Sequence, residues 1–398
     1  NYFFLIMKRI LIIPIVLIFS FCDRPSGELS KISSSVITYQ KALIAHGITG
    51  SNIARVYKDG DVLVHSIINS NNENDMAINE NTIFPIWSMT KPITIVAMMI
   101  LYERNLYNFD DPVSDYIPSL GKIKCKNKDS VYNCENKLRI IHLLTHRSGF
   151  RYYSSGPGNI THADTVFNSL SEYIDSLAQY QPLEFEPGTD YMYGINQAIL
   201  GGLIEVISGQ SFYEFLNKNI FKPLNMNNTK FYLTEQEREN LQILFKKSVD
   251  GKERIFSNDN DQLTYRMGSK MQFGGEGLVS TFNDYSNFCQ MLLSGGLFNG
   301  QKIISQKSIE LMIEPHTINI LEDGYYGGMD FGFSLFNLQE PILDGTNSSK
   351  GIYGWSGYHN THFWIDPKKK LYGLFMTRTV PFSFEIQKQF RAAVYYNI

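Results

Sequence analysis

Cysteine and tryptophan are scarce in this 398-residue chain, with four and three copies. Four cysteines cannot build a disulfide scaffold of this length. Charge is thin as well: 36 Lys+Arg stand against 39 Asp+Glu, a formal net charge of −3, and 19% of residues are charged. A chain with a pI near 6.3 lacks the basic face that phosphate neutralisation needs, which argues against a nucleic-acid partner. No uninterrupted apolar run reaches the length of a transmembrane helix, ~18 residues. The 30 glycines and 14 prolines follow no period, so collagen-like and repeat architectures are excluded. Apolar side chains are what the chain has in quantity: 43% are hydrophobic and 14% aromatic. That supplies one sizeable core and excludes a disordered chain.

The N-terminus reads as an address. Met7-Lys8-Arg9 precedes residues 10–21, which carry no charge and a single hydroxyl. A basic start and a short apolar run describe a secretory signal, with an uncut signal anchor as the alternative. Residues 1–6 then lie upstream of the start methionine. Cys22 follows the apolar run and precedes Asp23-Arg24-Pro25-Ser26-Gly27, the place where a bacterial lipoprotein is cut and lipidated. Phe19-Ser20-Phe21 lacks the small residue usual before such a cysteine. The expectation is an exported protein, periplasmic or membrane-anchored through a lipidated Cys22. Residues 1–22 are its leader, 23–35 a linker and 36–398 one catalytic domain. Export permits disulfides, and Cys125 and Cys134 bracket a turn-like stretch as candidates to staple a hairpin. Cys289 lies on a helical apolar face and reads as an inert core thiol.

Periodicity places a helix over 36–46, then strands over 53–57 and 62–68 joined at Asp59-Gly60, a hairpin signal. Residues 92–104 form a helix that is apolar all round, hence one buried in the middle of a domain. Helices follow at 140–145, 170–179, 196–208 and 213–217. Strands return at 362–365 and 371–376, and a last helix covers 384–395. Strands at both ends with helices between predict an α/β (α+β) chain. Its antiparallel sheet is built from both termini, about 36–105 and 300–398, with a mostly helical part inserted at about 106–299.

Ser88-Met89-Thr90-Lys91 is an S-x-x-K. Three residues apart on a helix is one face, so the Lys91 amine reaches the Ser88 hydroxyl. Pro92 is tolerated because the first turn has no N–H partner to lose. A lysine at the head of an apolar helix is partly desolvated, which favours its neutral, basic form, and a serine hydroxyl needs a neighbour to take its proton. Ser119-Leu120-Gly121-Lys122 repeats the spacing, but in a probable turn, where the two side chains have no fixed relation. Read alone, Ser88 equally serves as a helix cap with Lys91 as a surface cation.

Further segments decide between these readings. Residues 84–92 around Ser88, Leu143-Leu144-Thr145-His146-Arg147-Ser148-Gly149, Gly274-Gly275-Glu276-Gly277-Leu278-Val279-Ser280-Thr281, and Gly354-Trp355-Ser356-Gly357 with Phe363-Trp364-Ile365-Asp366-Pro367 occur in order. Together they resemble the serine β-lactamase and penicillin-binding-protein superfamily, in the branch of class C β-lactamases and family VIII carboxylesterases. The resemblance runs from about Val36 to the end and implies a β-lactamase/transpeptidase-like fold. It also implies a catalytic tyrosine in Pro187-Gly188-Thr189-Asp190-Tyr191-Met192-Tyr193-Gly194-Ile195. The register to Gly201 and Glu205 selects Tyr193, with Tyr191 in reserve. A phenol beside a lysine ammonium ionises more easily and can deprotonate Ser88 and later activate water. The oxyanion hole implied by the family is the pair of backbone N–H groups of Ser88 and Tyr358, each worth ~3 kcal/mol. Trp355, Ser356 and Gly357 line that side of the cleft.

The chain departs from the family at its polar anchors. Penicillin-processing members carry Lys-Thr-Gly where this chain has Trp355-Ser356-Gly357, and no Lys-Thr-Gly or Ser-Asp-Asn occurs. Ile195 replaces the amide of the usual Tyr-x-Asn, with Asn196 one position late. An apolar cleft suits a neutral ester, as in family VIII esterases. The other residues weighed are His142 and His146, at a metal-like spacing without an acidic base, His359 and His362, read as rim and sheet residues, and the solvated Lys368-Lys369-Lys370 turn. The expectation is a serine hydrolase forming an acyl-enzyme on Ser88, most consistent with a carboxylesterase acting on a small ester or amide, with no cofactor and no metal. The alternatives are a β-lactamase or D,D-carboxypeptidase, and a non-turning-over binding protein of the same fold.

Overall fold

Seven strands contributed by the two ends of the chain pair into one antiparallel sheet, as the distribution of strand-like runs predicts. The computed structural model describes residues 26–153, 156, 159, 163–247, 254–257, 267–318 and 327–398. The leader, with Cys22, lies outside the described residues. Helix α1 (Ser26–Ala45) leads into the hairpin β1 (Asn52–Lys58) and β2 (Asp61–Ile68). A short strand β3 (Ile83–Pro85) feeds α2 (Thr90–Glu103). The hairpin β4 (Lys124–Lys126) and β5 (Val131–Asn133) carries the disulfide Cys125–Cys134. Helices α3 (Ile140–Leu144), α4 (Leu170–Tyr180) and α5 (Asn196–Ser208) follow. Strand β6 (Val279–Thr281) pairs with β3 and opens α6 (Phe282–Leu293). The C-terminal part supplies β7 (Met329–Phe331), β8 (Phe336–Leu338), α7 (Pro341–Asp344), β9 (Tyr353–Ser356), β10 (His362–Asp366), β11 (Leu371–Met376) and α8 (Phe384–Tyr395). The sheet order is β7-β8-β9-β10-β11-β1-β2.

Both faces of this sheet are covered, which is why β10 and β11 read as continuous apolar runs rather than alternating ones. Trp364 and Phe375 meet Phe390 of α8 on one face, whereas Phe363 meets Tyr285 and Phe288 of α6 on the other. Residues of one strand alternate between faces, so Trp355, opposite Phe363, shares the α6 face, and Ser356, opposite His362, shares the α8 face. That parity decides which side chains reach the cleft.

Two boundaries differ from the sequence reading. The helix expected at 36 begins at Ser26, so most of the expected 23–35 linker is helical and α1 packs along α8. The serine-rich run 32–35 hid it, since serine reads as loop unless packing overrides its propensity. Helix α6 falls inside the expected helical part 106–299, yet it packs on β10 and β11 and belongs with the sheet. Cys289 on α6 is a free, buried thiol.

Candidate active site

The nucleophile segment is a tight turn. Residues Trp87–Met89 form a single 3₁₀ turn that runs straight into α2, with Trp87 held at φ 47°. The Tyr285 hydroxyl donates to Met89 O at 2.9 Å, and Trp87 Nε1 donates to His359 Nδ1 at 2.7 Å. Every residue from Thr90 to Leu101 is buried, so the turn sits on a rigid, apolar helix. Pro92 falls in the first turn, where no intrahelical N–H is lost.

Lys91 has no solvent exposure. Its Nζ lies 3.1 Å from Ser88 Oγ, 2.8 Å from Tyr152 Oη and 2.8 Å from Gly275 O. Gly275 O can only accept, so Lys91 donates to it, while the Ser88 and Tyr152 hydroxyls complete its three contacts. The Gly274-Gly275 backbone that caps it is fixed by the Thr94 hydroxyl, which donates to Gly274 O at 2.7 Å. Nζ also lies 4.7 Å from the centre of the Tyr193 ring, a cation–π distance.

Tyr193 Oη is 2.7 Å from Ser88 Oγ. Tyr191 instead stacks on Phe331 at 5.1 Å, so of the two tyrosines only Tyr193 bonds the serine. Its loop is clamped from behind by His146, whose Nδ1 accepts from the Gly194 N–H at 3.3 Å and from the Asn196 amide at 2.8 Å. Burial, with the Lys91 charge adding to it, holds His146 well below the usual histidine range, so this clamp is neutral. Gly194 is needed because a Cβ there would stand 2.3 Å from Phe150 O. Asn196 is used up by His146 and Ser148, and Ile195 is buried in the core. Neither offers a polar group to a substrate.

The third element closes the cleft. A Cβ on Gly357 would lie 2.5 Å from Ile86 O, so only glycine lets the end of β9 lie against the nucleophile turn. The Tyr358 ring meets Trp87 at 5.2 Å, so residue 358 packs on the nucleophile turn through its side chain. Trp355 is 5.8 Å from Tyr193 and 5.8 Å from Phe331, ring to ring, and forms an aromatic wall. Ser356 departs from expectation. Its hydroxyl is 2.8 Å from His362 Nδ1 and donates to Gln387 Oε1 at 2.7 Å, so strand parity turns it away from the cleft. His359, expected on the rim, is buried under Trp87.

Two site residues were missed by sequence reasoning. Tyr152 bonds Lys91 directly, and desolvation, together with the neighbouring Tyr193 and Glu276, pushes its phenol well above the ordinary value. Its signal was position: it comes three residues after the Thr-His-Arg-Ser-Gly run, one of the segments that carry the family resemblance. Glu276 is buried beside the same lysine. Burial pushes its carboxyl up to about 7, against the opposing pull of Lys91. A carboxyl whose folded value is raised stabilises the fold below about 4.5, and that contribution is lost as pH climbs towards 7. Glu276→Gln is therefore expected to melt several degrees above wild type at pH 8, with the gap closing by pH 5. Melting curves across that range check this, and a gap independent of pH contradicts it.

Other candidates do not converge. Ser119 and Lys122 lie on a separate open groove of about 590 Å³ with Asp175 and Tyr180. His142 accepts from the Arg139 N–H at 3.2 Å while His146 faces Asn196, so the pair shares no ligand position.

Comparison with known proteins places this geometry. A family model described as Beta-lactamase matches residues 39–396. Protein Rv1367c of Mycobacterium tuberculosis is 26% identical over 322 residues, 76% of this chain and 79% of that protein. The structure of EstCE1, titled a hydrolase with promiscuous acyltransferase activity, is similar with a TM-score of 0.77 at 21% identity, covering 93% of this chain and 100% of that one. Simvastatin synthase LovD of Aspergillus terreus is similar with a TM-score of 0.74 at 19% identity, covering 92% and 98%. At these identities the two structures speak for the fold.

Proposed function

The chain belongs to the beta-lactamase family, and from that membership we propose that it is a carboxylesterase that hydrolyses neutral esters through an acyl-enzyme on Ser88. The observation that carries the proposal is the convergence on one serine oxygen of Tyr193 Oη at 2.7 Å and Lys91 Nζ at 3.1 Å, at the head of a buried helix. Tyr193, as a phenolate held by the Lys91 ammonium, takes the Ser88 proton as Oγ attacks the ester carbonyl. The N–H groups of Ser88 and Tyr358 receive the negative charge that develops on the carbonyl oxygen. As the tetrahedral intermediate collapses, Tyr193 returns the proton to the departing alkoxide. In the second half-reaction water attacks the acyl carbonyl and gives its proton to Tyr193, which passes it to Ser88 Oγ as the acid leaves and so returns to the phenolate.

The wall formed by Trp355, Phe331, Tyr191 and Tyr193 supports an uncharged substrate. Trp355 stands where penicillin-processing relatives use lysine to hold a carboxylate. The disulfide Cys125–Cys134 supports work in an oxidising compartment, and export with lipidation at Cys22 is proposed on the leader sequence. The test is one plate: the purified protein against p-nitrophenyl butyrate and a chromogenic cephalosporin. The expected kcat/KM for the ester exceeds that for the cephalosporin by roughly 100-fold or more, the scale of discrimination that unpaired polar groups bring. Preferential cephalosporin cleavage contradicts the proposal in favour of a β-lactamase, and silence on both contradicts it in favour of a binding protein.

A further inference from the structure

Behind the sheet, on the face opposite the cleft, four elements bring charged and polar groups together with no solvent between them. Asp344 ends α7, Arg391 and Gln387 lie on α8, His362 opens β10 and Ser356 closes β9. Asp344, Arg391 and His362 are each at most 2% exposed. Arg391 Nη2 donates to Asp344 Oδ1 at 2.7 Å, and Arg391 Nη1 lies 3.1 Å from His362 Nε2. His362 Nδ1 lies 3.1 Å from Trp355 O and 2.8 Å from Ser356 Oγ. Thr346 and Ser348 occupy the second carboxylate oxygen of Asp344.

These contacts have one consistent assignment of hydrogens. A guanidinium only donates, so His362 Nε2 must accept and the imidazole proton must sit on Nδ1. That N–H then faces Trp355 O and Ser356 Oγ, and the serine hydrogen is left to point at Gln387 Oε1, 2.7 Å away. Burial and the Arg391 charge hold His362 well below the usual histidine range, in keeping with a neutral ring. Arg391 therefore donates in both directions, to the Asp344 carboxylate and to His362, and from His362 the bonds run on to the last two residues of β9. Immediately beyond them the Gly357 N–H donates to Thr361 O at 2.8 Å, and Asn360 is tied to Thr379 O and Pro381 O. The peptide between these two sets of bonds carries the Tyr358 N–H.

We propose that Asp344, Arg391 and His362 are positioning residues of the hydrolytic site, a hydrogen-bond relay centred on Arg391 that fixes the end of β9 and aims the Tyr358 N–H at the oxyanion. The relay never touches substrate and acts through Trp355 O and Ser356. It rests on the serine-hydrolase reading given above.

Two mild variants test it. Ser356→Ala removes one receiving group of the relay, and Arg391→Lys keeps the charge facing Asp344 but loses the two-armed bridge to His362. Both are scaled to the concentration of active sites titrated with a fluorophosphonate. Kinetics are read on p-nitrophenyl butyrate, with affinity for a trifluoromethyl ketone, whose adduct places an oxyanion in the hole. The relay predicts that kcat falls roughly tenfold, a fraction of the loss on deleting an oxyanion donor, with KM within about twofold. It also predicts that ketone affinity falls by the same factor as kcat. Unchanged kcat and ketone affinity per active site overturn the proposal, whatever happens to the melting temperature, because a purely structural network lowers only the number of folded molecules. A change confined to KM overturns it too. If wild type neither turns over esters nor takes the fluorophosphonate, the serine-hydrolase reading has failed. If wild type works and the variants match it, the relay alone has failed.

Discussion

Ester turnover by Ser88→Ala is expected to fall by roughly 10⁴-fold or more, the loss typical of removing a covalent nucleophile, with the melting temperature close to wild type. The small stability effect follows from the site. Ser88 is half-buried, and its hydroxyl bonds side chains of the cleft, among them Lys91 and Tyr193. Ser119→Ala is the internal control. Ser119 has the same spacing to a lysine, but it sits in the 3₁₀ turn Pro118–Lys122 on a separate groove, and its removal is expected to leave kcat within about twofold, as for substitutions away from special features. Active-site-titrated kinetics and melting curves for both variants decide the matter. Damage by the second change instead of the first would reassign the nucleophile.

The second large effect separates the two tyrosines. Tyr193→Phe is expected to lower kcat by roughly 10³-fold, within the usual span for general acid–base groups, while Tyr152→Phe costs about tenfold, the scale of one lost hydrogen bond to a charged group. Both rings lie close to Lys91 Nζ, but their hydroxyls have different partners. Tyr193 holds Ser88 at 2.7 Å, while Tyr152 holds Lys91 at 2.8 Å. Desolvation keeps the Tyr152 phenol protonated, which suits a hydrogen-bond partner and not a base. Rate–pH profiles of the two variants check the assignment. A larger loss in Tyr152→Phe would make that residue the base and leave Tyr193 as its support.

The parts of this protein that were legible in the sequence are those fixed by local pattern. The apolar helix after Ser88, the hairpin at Asp59-Gly60 and the apolar runs at 362–365 and 371–376 each carry their signal in consecutive residues, and the sheet drawn from both termini follows. The start of α1 was not legible, because its serines favour helix only once α8 packs beside them. At the site, the i, i+3 relation of Ser88 and Lys91 is local and readable. Tyr152 and Glu276 join that lysine through long-range folding, so the motifs that hold or precede them do not show that they meet it. Ser356 shows the converse: a motif position is readable, but the face its side chain takes is set by pairing with His362 across the sheet.

The most direct test of the account is intact-mass and peptide-mapping spectrometry of the wild-type protein quenched within its first turnovers on p-nitrophenyl butyrate. The account predicts one butyryl group per active site, located on the peptide containing Ser88, decaying as acid is released and persisting longer in Tyr193→Phe. Turnover with no acyl adduct, or an adduct carried by any other residue, would contradict it.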